Sequence, residues 1–354
     1  MKNPNIKIVG AGLLGTSLGL ALKKHGITAQ LSDQSKANLR LAIEYGAGQE
    51  SGEEPDLIVV CVPPDMTAEV VARELASHPN ATVTDVASTK AQIASEVREL
   101  STEHARYIGS HPMAGREKGG PGKARADLFF ARPWVIAAES DAESSRVEQI
   151  RDLALRLGAL PQLLTPAEHD AAVALVSHLP QLAASLVAAR LGQAKPVQLD
   201  LSGQGLRDTT RIAASDPELW VQILNQNASQ IAPLLSDLAS ELQQVREALE
   251  NPEAAGSLAR LHAILESGNQ GVSKIPGKHG GKYAEYELVT VIIDDSPGAL
   301  ASLLTFIGEI DVNIEDLKLE HSPGAEIGLV ELQVLPDAAK LLVTRLTESG
   351  WRLV

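Results

Sequence analysis

Three glycines that follow a short apolar run constrain the fold of this chain more than any other feature. Ile6–Val9 is strand-like, the turn Gly10-Ala11-Gly12-Leu13-Leu14-Gly15 comes next, and a helical pattern begins at once. The first glycine permits a tight bend, the second lets a pyrophosphate approach the backbone, and the third lets the helix pack on the strand. The pattern predicts a dinucleotide-binding unit. Its predicted ligand contacts are Gly10, Gly12, Leu13, Leu14 and Gly15.

A carboxylate at the end of the second predicted strand indicates which dinucleotide is bound. Asp33 follows the glycine turn by about 20 residues, the separation at which an acidic side chain binds the ribose 2′-hydroxyl. Its charge would repel a 2′-phosphate, so NAD is the predicted cofactor. Lys36 and Arg40 lie close in the sequence and leave NADP as the alternative.

Strand-like runs alternate with helical stretches in the N-terminal region, which predicts an α/β fold with a Rossmann-like, doubly wound and mostly parallel sheet. From Thr165 the pattern changes to long helices. One is predicted from a capping box at Thr165 to about Leu191, and another from Asp216 toward Leu249 with a kink at Pro233. The predicted strands are Ile6–Val9, Ala29–Ser32, Leu57–Val62, Thr82–Val86, Arg106–Ile108 and Trp134–Ala138.

The remaining chain divides into further predicted domains. Broad apolar faces on the long helices predict burial between two copies of the chain, and a homodimer is the commonest arrangement. A glycine- and lysine-rich stretch predicts a linker. The order strand, helix, strand, strand, helix, with a possible last strand at Trp351–Val354, predicts a ferredoxin-like C-terminal unit. The predicted bounds are 1–164 for dinucleotide binding, 165–267 for substrate binding and dimerisation, 268–284 for the linker and 285–354 for the last domain.

Composition excludes several classes of protein. A net charge of −14 and an aromatic content of 3% argue against nucleic-acid binding, which needs basic and stacking surfaces. Cys61 is the one cysteine, so no intramolecular disulfide or cysteine-based zinc cluster is expected, and no metal is predicted. The pattern of residues predicts no signal peptide and no apolar run of the roughly 18 residues that a membrane span needs. A cytoplasmic protein is expected.

Two candidate catalytic residues follow predicted strands, at the sheet edge where ligands of open α/β sheets bind. His111 titrates near neutrality and can accept a proton while hydride leaves a hydroxyl-bearing carbon. Ser88 could orient that hydroxyl. Taken alone, His111 could equally be a structural loop residue, and Ser88 could be a helix N-cap.

Candidate substrate-binding residues lie in the helical region. His178 lies shortly before Pro180, which should bend the helix. His169 is expected on roughly the opposite face of this helix from His178. Asp208 and Arg211 are three residues apart, so they could pair and present the guanidinium to a carboxylate. Trp220 could form a wall of the same pocket. The alternatives are a buried structural histidine, a surface ion pair and core packing.

Taken together, these segments resemble the prephenate/arogenate dehydrogenase family over nearly the whole chain. The glycine turn, Asp33 and the Ser88 segment come in the family's order. The other matching segments are Ser110 to Glu117, Ser177 to Pro180, Thr210 to Ala213, and Ser215 to Pro217 with Trp220. The C-terminal unit resembles an ACT domain in Asp295 to Leu300 and in Asn313-Ile314.

The resemblance implies an activity and a role for each residue. His111 takes the proton of the ring hydroxyl as hydride moves to NAD, Ser88 positions that hydroxyl, and the ring carboxylate leaves as carbon dioxide. Arg211, supported by Asp208 and near His178, binds a substrate carboxylate, and Arg116 is a further candidate contact. The implied effector contacts, with tyrosine as the effector, are Asp295, Gly298, Ala299 and Asn313.

Several functional alternatives remain at this point. The substrate could be arogenate in place of prephenate, because the two differ only at an amino or keto group. A related dehydrogenase acting on another hydroxy acid is a second alternative. The third is a non-enzymatic sensor that binds a nucleotide and an amino acid.

Overall fold

Four parallel strands form the centre of the N-terminal region in the order β2-β1-β3-β4. The computed structural model describes residues 3–115, 119–139, 142–276, 286–321 and 327–354. Within this sheet Val9 lies opposite Val60, and Val60 lies opposite Asp85. The elements are β1 (Ile6–Val9), α1 (Leu13–Lys24), β2 (Gln30–Ser32), α2 (Lys36–Glu44), β3 (Leu57–Val60), α3 (Pro64–Ser77), β4 (Thr82–Asp85) and α4 (Ala91–Leu100).

Helices cover both faces of this sheet because successive strand residues point in opposite directions. Ile8 belongs to the core with Leu18 and Leu22 of α1. Its neighbour Val9 belongs to the other core with Val71 of α3 and Ile93 of α4. The doubly wound parallel sheet that the sequence predicts is therefore confirmed.

A second sheet of three strands, in the order β5-β6-β7, extends this region. Strand β5 is antiparallel to β6, and β6 is parallel to β7. The two sheets are joined by a parallel bridge between Val83 and Tyr107. The elements are β5 (Gly109–Pro112), β6 (Pro133–Ala137), α5 (Ser144–Arg156) and β7 (Leu160–Leu164).

The predicted strand at Arg106–Ile108 is wrong in position. A 3-10 turn, His104–Arg106, occupies its beginning, and the strand starts at Gly109. The Arg106 guanidinium donates hydrogen bonds to the carbonyl oxygens of Leu75, His78 and Ala81, which anchors the turn against α3. A buried arginine that donates to three carbonyl groups fixes the backbone there. A strand pattern in the sequence does not reveal these hydrogen bonds.

The helical region begins as the sequence predicts, with a complete capping box between Thr165 and Glu168. The predicted continuous helix is interrupted by a π-helical turn, Ala174–His178, in which Leu179 N–H donates to the carbonyl five residues back, at Ala174. Pro180 has no N–H for an ordinary helical bond, so a wider turn forms before it. The elements are α6 (Pro166–Val173), α7 (Leu179–Leu191), α8 (Pro196–Leu199) and α9 (Gln204–Thr210).

The second predicted long helix is two helices that meet at Asn227. Helix α10 (Pro217–Gln226) is capped by Asp216, as predicted, and Pro233 lies within α11 (Ala228–Glu250). Helix α12 (Ser257–Ser273) follows. The predicted linker starts at Gly268, but its first residues are the end of α12.

Among the described helices, the run Pro166–Leu191 alone is long and apolar enough to cross a membrane by length and composition. The expectation that no segment reaches this length is therefore wrong by that measure. The run carries His169, Asp170 and His178, and all three are buried. Asp170 also bonds to the backbone of the nucleotide-binding region, which anchors the start of this run within the protein.

The C-terminal unit is an antiparallel sheet in the order β11-β8-β10-β9, with two helices packed against it. Its order of strands and helices confirms the predicted ferredoxin-like fold, including the last strand. The core joins Val291 and Val330 of the sheet to Leu303 and Leu342 of the helices. The elements are β8 (Glu287–Asp294), α13 (Ala299–Glu309), β9 (Asp316–His321), β10 (Ile327–Val334), α14 (Pro336–Glu348) and β11 (Arg352–Leu353).

Candidate active site

The glycine turn leaves open space at one position and is crowded at the other two. A Cβ on Gly10 would lie 2.3 Å from the Cys61 carbonyl oxygen, and one on Gly15 would lie 1.9 Å from the Gly10 carbonyl oxygen. A Cβ on Gly12 would meet nothing within 4 Å. Gly12 is the N-cap of α1, where free N–H groups attract phosphate. The backbone at Leu13 and Leu14, the first residues of α1, completes this cradle, which fits a pyrophosphate.

Asp33 lies beside this turn, directly after β2. Its Oδ2 accepts a hydrogen bond from Ala11 N–H at 2.5 Å, and its Oδ1 accepts one from Ser35 N–H at 2.6 Å. Each carboxylate oxygen has a second lone pair, so both can still accept a ribose hydroxyl proton. The half-buried carboxylate thus fits the nucleotide role that the sequence predicts.

His111 lies in β5, and 9% of its surface is exposed. Its Nδ1 lies 2.8 Å from Nε2 of His169, in α6. Burial lowers the pKa of His111 well below its ordinary value, and the neighbouring charges of His169, Lys90 and His178 lower it further. A neutral imidazole at neutral pH can accept a proton, which is the property that a general base needs.

His169 connects His111 to a buried carboxylate. Its Nδ1 lies 2.7 Å from Oδ1 of Asp170. The two carboxylate oxygens of Asp170 also accept the N–H groups of Lys90 and Ala91, both at 2.8 Å. Asp170 of the helical region therefore caps α4 of the nucleotide-binding region. An electrostatic interaction with His169 also lowers the pKa of His178.

Ser88 lies between β4 and α4, and it is not the N-cap of α4. That helix begins at Ala91 with Lys90 as its N-cap, and Asp170 supplies the capping oxygens. The structural alternative for Ser88 therefore does not apply. The hydroxyl lies two residues before Lys90, whose charge acts on His111.

Lys90 forms a fully buried ion pair with Asp85. Tyr107 donates its hydroxyl proton to the other oxygen of Asp85 at 2.7 Å. Burial lowers the pKa of Lys90, while the carboxylates of Asp85 and Asp170 act in the opposite direction. This cluster, which was not predicted from the sequence, places a positive charge behind His111.

His178 is buried and lies against two residues of the helical region. The Asn227 side-chain amide lies 3.1 Å from His178 Nδ1 and donates to the Asp170 carbonyl oxygen at 2.8 Å. The Trp220 ring meets the His178 ring edge to face, with centroids 5.9 Å apart. Burial lowers the pKa of His178 to about 4. The donor from Asn227 requires an unprotonated Nδ1, which leaves Nε2–H as the donor of His178.

Arg211 opens a 3-10 turn, Arg211–Ala214, that packs against α7. The predicted ion pair with Asp208 is not formed within the described part of the chain, where Asp208 accepts a hydrogen bond from Gln204. Helix α9 ends at Thr210, so the two residues span a helix junction and do not share one helix face. Arg116, the other predicted carboxylate contact, lies outside the described residues.

Asp295, Gly298 and Ala299 lie at one end of the C-terminal sheet, and Asn313 precedes β9 at the opposite end. Gly298 has φ +93° and is the N-cap of α13, which starts at Ala299, and a Cβ on Gly298 would meet nothing within 4 Å. Asp295 follows β8 directly. The Asn313 side-chain amide donates to Glu315 at 2.8 Å.

Comparison with known proteins decides the family. Residues 18–163 match the model described as "Prephenate dehydrogenase, nucleotide-binding domain", and residues 165–266 match "Prephenate dehydrogenase, dimerization domain". The chain belongs to the prephenate dehydrogenase family. It is an NAD-dependent oxidoreductase, with a nucleotide-binding domain and a dimerisation domain.

Members of this family match most of the chain. The probable prephenate dehydrogenase NovF of Streptomyces niveus is 34% identical, over 97% of this chain and 98% of that protein. The arogenate dehydrogenase structure from Synechocystis is 28% identical with a TM-score of 0.63, and the match covers 76% of this chain and 99% of that one. The prephenate dehydrogenase from Aquifex aeolicus, solved with hydroxyphenyl propionate and NAD+, has a TM-score of 0.66 with the same coverage. At 23% identity it supports the fold alone.

Two sets of predicted residues come together in this prephenate dehydrogenase family member. The glycine turn and Asp33 form one, and His111 and His178 with Trp220 form the other. Sequence reasoning missed His169, Asp170 and Asn227, which hold the two histidines. A buried polar pair at the start of an apolar helix, His169-Asp170, was the available signal.

Proposed function

We propose that this protein catalyses the NAD-dependent oxidative decarboxylation of prephenate to 4-hydroxyphenylpyruvate in the cytoplasm, as a step of tyrosine biosynthesis. The observation that carries the proposal is the environment of His111. It is a buried imidazole with a lowered pKa, it lies in the nucleotide-binding domain, and His169 holds its Nδ1. Family membership supports the substrate class.

His111 serves as the general base in this proposal. Its Nε2 accepts the proton of the substrate ring hydroxyl, because Nδ1 is held by His169. NAD, when bound, supplies the hydride acceptor. The glycine turn and Asp33 hold its pyrophosphate and ribose, and Ser88 orients the substrate hydroxyl. Loss of the ring carboxylate as carbon dioxide makes the ring aromatic, which favours the forward direction.

The remaining predicted residues bind the substrate. His178 donates from Nε2–H to a carboxylate, since its Nδ1 faces the Asn227 amide. Arg211 supplies a guanidinium to a substrate carboxylate, and Trp220 holds the His178 ring in place. Arg116 is proposed as a further carboxylate contact. Asp208 is left without a supporting role because its partner is Gln204.

The decisive experiment incubates the purified protein with NAD and prephenate and follows NADH absorbance together with released carbon dioxide. Equal amounts of the two products are expected. His111→Asn should lower turnover by about 100-fold or more while NAD still binds, because it removes general-base catalysis. NADH without carbon dioxide would indicate another hydroxy acid dehydrogenase, and binding without turnover in the native protein would indicate a sensor.

Arogenate is the second candidate substrate, and the Synechocystis arogenate dehydrogenase is the observation that favours it. Rates with prephenate and arogenate should be compared side by side, each with NAD and with NADP. We expect prephenate with NAD to give the highest kcat/KM. A higher kcat/KM for arogenate would replace prephenate as the substrate in this proposal.

We also propose a homodimer formed through the helical domain, residues 165–267. Apolar side chains in this domain are exposed in the single chain, including Leu186 at 59% and Val221 at 66%. Exposed apolar surface of this kind marks an interface. Light scattering of the purified protein should give the mass of two chains, and a monomer at micromolar concentration would contradict the proposal.

Feedback by tyrosine at an ACT-like C-terminal domain, residues 285–354, is the last part of the proposal. The open backbone at Gly298 and the polar side chain of Asp295 support a small amino-acid site at the start of α13. Asn313 lies at the opposite end of the sheet, so it is proposed as a contact made at an interface between two ACT-like domains. Tyrosine should inhibit the native protein. Asn313→Ala should raise the inhibitory concentration about tenfold and leave uninhibited turnover unchanged. Equal inhibition of both proteins would remove this residue from the site.

A further inference from the structure

Three buried side chains form a line that ends at the proposed base. Asp170 Oδ1 lies 2.7 Å from His169 Nδ1, and His169 Nε2 lies 2.8 Å from His111 Nδ1. The exposed fraction of the residue surface is 2% for Asp170, 0% for His169 and 9% for His111. Water therefore cannot take the place of any partner within the line, and each nitrogen must be matched by its neighbour.

The hydrogen-bond roles along this line follow from the carboxylate end. The N–H groups of Lys90 and Ala91 donate to the two oxygens of Asp170, which favours the ionised carboxylate. An ionised carboxylate only accepts, so His169 carries its proton on Nδ1 and has a lone pair on Nε2. His111 must then carry its proton on Nδ1, which leaves the lone pair on Nε2.

We propose that His169 and Asp170 are positioning residues that hold His111 in the tautomer whose Nε2 is the proton acceptor. An isolated neutral histidine in water carries its proton mainly on Nε2, and in that form Nε2 could not accept. The line from Asp170 reverses this preference. The same logic operates when a buried aspartate orients the histidine of a serine hydrolase. The inference rests on the proposed function for its role in catalysis, but the tautomer itself does not.

The groups around the line are consistent with this assignment. His111 is faced by His169 from α6, by Lys90 from the start of α4 and by His178 from the π-helical turn. Asp170 and His178 are neighbours of His169 besides His111. The positive charge of Lys90, paired with Asp85, disfavours a second proton on His111. The neutral form therefore dominates at neutral pH, and only its tautomer remains to be set.

The direct test is the imidazole 15N spectrum of the full-length protein labelled at histidine, with His111→Asn to assign the signals. At pH 7.5 we expect His111 to have a protonated Nδ1 and an unprotonated Nε2. Asp170→Asn should invert this pattern, because the amide can donate to His169 Nδ1. A native His111 protonated on Nε2 would overturn the proposal, whether or not the protein turns over prephenate.

Kinetics then test the consequence for catalysis. Asp170→Asn should lower kcat about 100-fold or more, with the dissociation constant for NAD within about twofold of the native value. The matched control is Glu168→Gln, the same carboxylate-to-amide change one residue before His169, in an exposed capping position. It should leave kcat unchanged within about twofold. Equal losses in the two variants would mean that Asp170 acts only through stability.

Two further variants separate positioning from packing if Asp170→Asn folds poorly. In His169→Gln an amide oxygen can still accept from His111 Nδ1, whereas His169→Leu has no acceptor. We expect the glutamine variant to retain kcat within about tenfold and the leucine variant to lose about 100-fold or more. Equal kcat in both variants would overturn the positioning role.

Discussion

Alanine at Gly15 should mainly lower stability, whereas alanine at Gly12 should mainly weaken cofactor binding. The Cβ of Gly15→Ala would lie 1.9 Å from the Gly10 carbonyl oxygen, whereas real Cβ contacts are essentially never shorter than 3.0 Å. The helix or the turn must therefore move by more than about 1 Å. The Cβ of Gly12→Ala would meet no atom of the protein within 4 Å, and Gly12 has φ −77°, which alanine also adopts.

These distances set the expected magnitudes. Overpacking of a rigid backbone contact costs about 3 kcal/mol, which corresponds to a fall in Tm of roughly 6–12 °C for a domain of this size. Alanine at the N-cap Gly12 costs less than about 1 kcal/mol, or roughly 3 °C. Its methyl group fills the space proposed for pyrophosphate, so the Kd for NAD should rise at least about tenfold, or about 1.4 kcal/mol.

Differential scanning fluorimetry measures the two Tm values, and calorimetric titration with NAD measures Kd for Gly12→Ala. Thermal destabilisation of Gly12→Ala equal to that of Gly15→Ala would refute the steric argument. An unchanged Kd in a stable Gly12→Ala protein would show that the pyrophosphate does not approach this position.

Three other predictions concern single side chains. Asp33→Ala should weaken NAD binding about tenfold and narrow the preference for NAD over NADP, as measured by the two Kd values; an unchanged ratio would remove Asp33 from ribose recognition. Arg211→Ala should raise KM for prephenate at least about tenfold with a smaller change in kcat, as steady-state kinetics will show, because ground-state carboxylate binding is lost. The pKa of His178 is about 4 in the folded protein against 6.5 for the free side chain, so the unfolded chain binds the extra proton. The associated stability is present above pH 6.5 and is lost as pH falls toward 4, so Tm measured across this range should fall less steeply in His178→Asn.

The parts of the site that could be predicted depend on local sequence. The glycine turn, Asp33 and the capping box at Thr165 each form within a short stretch of chain, where backbone geometry determines the residue type. The doubly wound sheet and the ferredoxin-like unit follow from the order of strands and helices. In each case the sequence pattern itself determines the structure that forms.

The parts that could not be predicted depend on distant segments or on irregular helices. A uniform α-helix would place His169 and His178 on opposite faces, whereas the run that carries them contains a π-helical turn before Pro180. Asn227 can contact His178 because Asn227 lies at the break between helices α10 and α11. The Asp208–Arg211 pair fails for the same kind of reason, since helix α9 ends between the two residues.

The capping of α4 by Asp170 has a mechanical consequence. One carboxylate holds backbone groups of the nucleotide-binding region, and the same side chain anchors the proposed base through His169. A hinge motion at this junction would strip a buried anion of its two backbone donors and separate His169 from the proposed base at the same time. Substrate and cofactor must therefore enter and leave without the two regions swinging apart here, and any gating motion must be made by other segments.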